Sequence, residues 1–172
     1  GTSGSSGTSG VGSPLVYQYN LINEHASPAN GNGEVRLLKS SANPDQSGGS
    51  YDGHLATNWN EVAYLQFYVL SSNTNSISQA LLNTTIGTPI TYLSGSNYGT
   101  DNWTIFETTA PASVSSGNGL IYNVAVNMFT SASSEVNFPI GQVGGYSPSW
   151  WGIGSLAGTS GTSGTSGTSG TS

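Results

Sequence analysis

The chain has 172 residues and a formal net charge of −6, yet only 6% of its residues are charged, against roughly 25% in an average soluble protein. Its two cationic residues, Arg36 and Lys39, cannot neutralise a phosphate backbone or hold an anionic bilayer, so nucleic-acid binding and polybasic membrane attachment are excluded. There is no cysteine, hence no disulfide framework and no thiol chemistry, and no apolar run approaches the length of a membrane span. Asn, Ser, Thr, Gly and Tyr carry the polarity instead. With eight carboxylates in all, few groups must change protonation as pH falls, and tolerance of acid is expected.

Residues 1–13 form a Gly/Thr/Ser-rich leader, and residues 158–172 repeat the triplet Gly-Thr-Ser. Neither stretch has an apolar face to bury, and a period of three does not suit a half-buried strand, whose period is two. The interval 14–157 is read as a single domain. It opens on "PLVYQYNLI", where Leu15, Tyr17, Tyr19 and Leu21 share one face and Val16, Gln18, Asn20 and Ile22 the other. In "GEVRLLKS", Val35 and Leu37 lie opposite Arg36 and Leu38. "NEVAYLQFYVL" (Asn60–Leu70) is apolar on both faces, which predicts a central strand covered on both sides. "SISQALL" (Ser76–Leu82) has room for one or two helical turns.

Further strands are predicted at Pro89–Leu93, Asn102–Thr109, Gly119–Thr130 and Glu135–Ile140. In the third of these, Asn123 and Asn127 predict a partly wetted face. Clusters such as "SPANGNG", "SGSNYGTDN" and "SSGNG" punctuate the strands. Seven or eight strands in this arrangement predict an all-β fold, an antiparallel β-sandwich of jelly-roll or Ig-like type with extended low-complexity termini; a closed barrel is the alternative.

Few constellations carry chemistry. Glu61 beside Trp59 and Glu107 beside Trp103 are the one glycosidase-like pair, which would require the two carboxylates to face each other across one concave sheet. Two glutamates on separate strands are a weak pattern, and a non-enzymatic role is expected. Asp45 and Asp52 sit in oxygen-rich loops suited at most to a loose Ca²⁺ site, without the spacing of a calcium-binding helical loop. His25 and His54 are isolated, so no metal or other cofactor is predicted. Trp59, Trp103, Trp150 and Trp151 are candidates for a sugar-stacking face or for packing in the core or at an interface. Asn83 and Asn102 begin Asn-x-Thr sequons, candidate sites for covalent N-linked glycans.

A flexible leader followed by an amphipathic strand is what donor-strand complementation requires; an ordinary first strand of the chain's own sandwich is the other reading of the same segment. Taken with "SPLVYQYNLI", the sequons at Asn83 and Asn102 and the nearly uncharged composition, the chain resembles archaeal surface-filament subunits of the thread and bundling-pilus type. The resemblance is one of composition and layout along the whole chain, without a signature motif. It implies β-sandwiches joined head-to-tail by donor strands. The expectation is therefore an extracellular, cell-surface homopolymer of identical subunits. Leu15, Val16, Tyr17, Tyr19 and Leu21 would form the donor strand, Trp150 and Trp151 would pack at the junction, and glycans would occupy Asn83 and Asn102. A carbohydrate-binding or adhesive domain is the alternative.

Overall fold

The computed structural model describes residues 15–22, 33–40, 43–44, 55–94, 103–115, 119–132 and 146–154. Eight strands occur among them: β1 (Leu15–Ile22), β2 (Glu34–Lys39), β3 (Val62–Tyr68), β4 (Pro89–Ser94), β5 (Trp103–Thr108), β6 (Ser113–Val114), β7 (Ile121–Ser131) and β8 (Tyr146–Ile153). A 3-10 turn at Trp59–Glu61 precedes β3, and a short helix α1 (Ser78–Leu82) follows it. The expected strand at Asn60–Leu70 thus begins two residues late. The expected strand at Glu135–Ile140 lies outside the described residues, as do Asp45, Asp52, His25, His54, Asn102 and the Gly-Thr-Ser segments.

The predicted β-sandwich is overturned. The strands follow one another as β3-β2-β1-β8-β4-β5-β7, and β3 also pairs with β7, so a single sheet closes into a seven-stranded barrel. An odd number of strands cannot close with antiparallel pairs alone, because each such pair reverses direction and the circuit must return to its start. The parallel pair β1–β2 resolves this; the other six pairings around the ring are antiparallel. The two-residue β6 lies against the first half of β7.

The parallel joint is short. Only Asn20↔Glu34 and Leu21↔Val35 stand in register. Gly33 holds it: the Asn20 N–H donates to the Gly33 carbonyl at 2.6 Å, and the Gly33 N–H donates to the Leu70 carbonyl at 2.6 Å. Beside them the Ser72 N–H donates to the Gln18 carbonyl at 2.7 Å, so the chain leaving β3 covers the edge of β1 that β2 does not reach. Gly33 has φ +75°, and a Cβ there would lie 2.6 Å from the Ser72 Cα. Only glycine satisfies both demands.

At about this strand number a barrel is just wide enough for side chains to fill it. Here the filling is aromatic. Ring contacts run Tyr19–Phe67–Trp151–Tyr92–Trp59–Phe106, with centroids 4.8–5.9 Å apart and tilted or edge-on geometries, the arrangement that ring quadrupoles favour. Tyr17, Tyr19 and Leu21 of β1 belong to this core. Some polar tips inside are matched, but not all: the Trp59 Nε1–H is buried without a hydrogen-bond partner among the described residues, whereas the Tyr19 hydroxyl donates to the Tyr68 carbonyl at 2.8 Å. The Trp151 Nε1–H donates to Ser149 Oγ at 2.8 Å, and Ser149 Oγ donates onward to the Tyr19 carbonyl at 2.8 Å. Trp59 enters from the turn before β3, while Ile77, Ala80 and Leu81 around α1 join the core from the segment after it.

The second face of β3 is covered too. Leu38, Leu55 and Tyr64 pack outside the wall, and Arg36, Gln66 and Asn123 are buried in one cross-strand row over β2, β3 and β7. Gln66 Nε2 donates to Asn123 Oδ1 at 3.1 Å and to the Pro44 carbonyl at 2.9 Å. The wetted face expected of β7 is therefore half right: Asn127 is exposed, and Asn123 is not.

Candidate functional site: the outer face of β8, β4 and β5

The four tryptophans divide. Trp59 and Trp151 are wholly buried, so they leave the candidate sugar-stacking set, and Trp151 is a core residue of its own chain. Trp150 is 43% exposed, as strand alternation demands of the residue beside a buried one. Trp103 is partly buried at the start of β5.

Register brings these two together. Trp150 on β8 is directly opposite Leu93 on β4, and Leu93 is directly opposite Trp103 on β5. Directly paired residues share a face of the sheet. The result is a row running across three neighbouring strands, with Leu93 49% exposed at its centre. Adjacent strands are about 4.8 Å apart, which puts the Cα atoms of the two tryptophans on the order of 9.5 Å apart. Gln18 of β1 continues the row beyond Trp150. The next row along the strands runs Val16, Gly152, Thr91 and Ile105. Gly152 contributes no side chain there, and Thr91 is buried, so the tryptophan row stands above its neighbours.

Leu93 was not singled out from sequence. Alternation in "PITYL" was the signal that could have found it, since Ile90 and Tyr92 face the core and Leu93 must then face outward. No local pattern says that Leu93 lies between two tryptophans.

The two carboxylates lie on different elements of the barrel wall. Glu107 is exposed on the outer face of β5, the side opposite core residue Phe106. Glu61 belongs to the turn before β3: its Oε2 accepts from the Thr57 N–H at 3.1 Å, the Thr57 hydroxyl at 3.2 Å and the Asn58 N–H at 3.3 Å. Lys39 Nζ lies 3.7 Å away. The Thr57 N–H, first among these, holds the Glu61 carboxyl below the usual carboxylate range, where it stays ionised. The barrel offers no concave sheet across which the two glutamates could meet, because its interior is filled by aromatic rings. Among the described residues no three His, Cys, Asp or Glu side chains gather as metal ligands, and no helix is long and apolar enough to cross a membrane. Asn83 is exposed at the C-terminal end of α1.

The fold and surface define a seven-stranded β-barrel with an aromatic interior and a tryptophan-bearing outer face. No family model, no curated protein and no solved structure matches the chain.

Proposed function

We propose that the protein is a structural subunit of a secreted extracellular filament, built head-to-tail from identical chains by exchange of β1. The observation that carries this reading is the place of β1 in the barrel. It is the first of the described strands, it closes the ring between β2 and β8, and it buries Tyr17, Tyr19 and Leu21 in the core. Its one covalent link to the rest of the barrel is the stretch 23–32.

A ten-residue link can span up to roughly 35 Å when extended. The slot between β2 and β8 is therefore satisfied equally by a chain's own β1 or by a neighbour's, with the same contacts. Each chain that gives one strand and takes one forms an open, heterologous contact that propagates. The nearly uncharged surface suits long service outside a cell across changes of salt and acidity. Asn83, exposed beside α1, and Asn102 are the glycan acceptors of this reading. A role without catalysis accords with the placement of Glu61 and Glu107.

The test exploits the absence of cysteine. Val16 and Gly152 are direct partners across β1 and β8, so V16C/G152C places one thiol on the inserted strand and one on the slot. Purified protein is examined by electron microscopy, oxidised, and run on a denaturing gel without reductant. Filaments that dissolve into a covalent ladder are expected. Monodisperse particles would remove the filament reading, and filaments that dissolve into monomers would place assembly on another surface.

The alternative, a carbohydrate-binding or adhesive domain, is favoured by one specific observation, the Trp150–Leu93–Trp103 row.

A further inference from the structure

The geometry points to the Trp150–Leu93–Trp103 row as a binding platform for an extended, uncharged polysaccharide, with one sugar ring stacked on each indole and the glycan axis running across the strands. The platform is a second property of the molecule, separate from how β1 is supplied. Its three residues lie on β8, β4 and β5, so they stay together in one chain whether β1 comes from that chain or from a neighbour.

Three features select this ligand. The first is spacing. Two strand intervals put the Cα atoms that carry the indoles about 9.5 Å apart, of the order of the repeat of a disaccharide unit in an extended β-linked chain, and the cross-strand register sets the two side chains on one face. The second is charge. The row contains no charged side chain, and its continuation at Gln18 is a neutral amide able to donate to and accept from sugar hydroxyls. An ionic ligand would find no counter-charge here. The C–H groups on a pyranose face carry partial positive charge and meet the negative face of an indole favourably.

The third is area. Trp150, Leu93 and Trp103, with Val16 and Ile105 beside them, offer a few hundred Å² of apolar surface. A stable protein–protein contact takes roughly 800 Å² from each partner. The stripe is too narrow for a second globular chain and matches a linear ligand one ring wide. Trp150 and Leu93, 43% and 49% exposed, stand side by side across two strands, and contiguous exposed apolar side chains mark a binding surface more than scattered ones do.

The experiment is affinity gel electrophoresis of the full chain through native gels containing hydroxyethyl cellulose or xylan as neutral probes and alginate as an anionic one. W150A, W103A and the double variant are run beside the parent, with thermal melting and sedimentation velocity on each. Retardation by a neutral probe is expected, weakened at least tenfold by W150A and abolished in the double variant, with unchanged melting. No retardation by either neutral probe, retardation that survives the double variant, or retardation by alginate alone would overturn the proposal. So would loss of self-association in the double variant without glycan retardation, which would make the row a contact between copies. Filament formation by the double variant is scored separately, so the two proposals stand or fall independently.

Discussion

Trp150 and Trp151 are consecutive in the chain and lie on opposite sides of the barrel wall: Trp151 is fully buried against Phe67 and Tyr92, and Trp150 is 43% exposed. Their substitutions should separate accordingly. W151A removes a ring from the aromatic chain and the indole N–H that Ser149 accepts, and should cost about 3–5 kcal/mol. W150A should change stability by no more than about 0.5 kcal/mol. Urea denaturation of both variants checks this; equal losses would mean that Trp150 also supports the fold.

Gly33 is the residue at which the parallel joint is made. G33A forces a side chain into φ +75° and against the Ser72 backbone. The backbone penalty alone is about 1–3 kcal/mol, and displacement of Ser72 adds to it. A lowered melting temperature is expected. G87A, at φ +83° but with open space around the added Cβ, isolates the backbone part. If G33A melts no lower than G87A, the contact with Ser72 is not a constraint.

Stability should be asymmetric in pH. Burial raises Tyr17, raises Tyr92 to about 12, and raises Tyr19 through burial first and the neighbouring Tyr17 second. A raised folded value means that the unfolded chain ionises first, near the ordinary value of 10.0. Stability is therefore intact below pH 10 and falls as pH climbs through 10 to 12. Glu61 works in the opposite sense: its lowered value adds stability above the ordinary carboxylate range, lost only as pH falls through the folded value. Because Glu61 is solvent-exposed, that loss should be slight. Circular dichroism from pH 2 to 12, with phenolate absorbance in parallel, should show a broad acid plateau and a cooperative alkaline transition. An acid transition of comparable size would contradict this.

The covered outer face of β3 should matter as much as parts of the core. N123A deletes the acceptor 3.1 Å from Gln66 Nε2 inside a buried row, at a cost of about 1–3 kcal/mol. N127A, four residues further along the same face but exposed, should be nearly neutral. Thermal melts of the pair test the contrast.

Deletion of residues 1–22 should leave β2 and β8 with unpaired edges and open the aromatic core to solvent. A synthetic peptide covering Pro14–Ile22 should bind the truncated protein and restore its melting transition, while the same peptide with Tyr19 and Leu21 changed to Asp should not. Restoration by both peptides would mean that the slot does not read the side chains buried in the native barrel.

Much of the architecture was legible locally. The two-residue period of Leu15–Ile22 placed Tyr17, Tyr19 and Leu21 on one face, and that face is buried. The doubly apolar Asn60–Leu70 stretch predicted cover on both sides of β3, and Gln66 is fully buried beneath such cover. Arg36 shows the limit: its position opposite Val35 and Leu37 was readable, but its burial beside Gln66 on the outer face of the wall is not stated by the pattern of β2. Trp59 was open between a sugar-stacking face and packing, and it is inside the barrel, entering from the 3-10 turn before β3.

The amino-acid sequence by itself determined an all-β chain with almost no charge and strands whose inner faces could be named, because side-chain alternation and composition are local properties. Whether those strands stack as two sheets or close into one ring was decided only by tertiary pairing. The inner faces of a sandwich and of a barrel carry the same alternation. What distinguishes them here is that β3 meets β7 and β1 meets both β2 and β8, contacts between residues far apart in the chain. The same long-range register, invisible in any one strand, set Trp150, Leu93 and Trp103 in a single row.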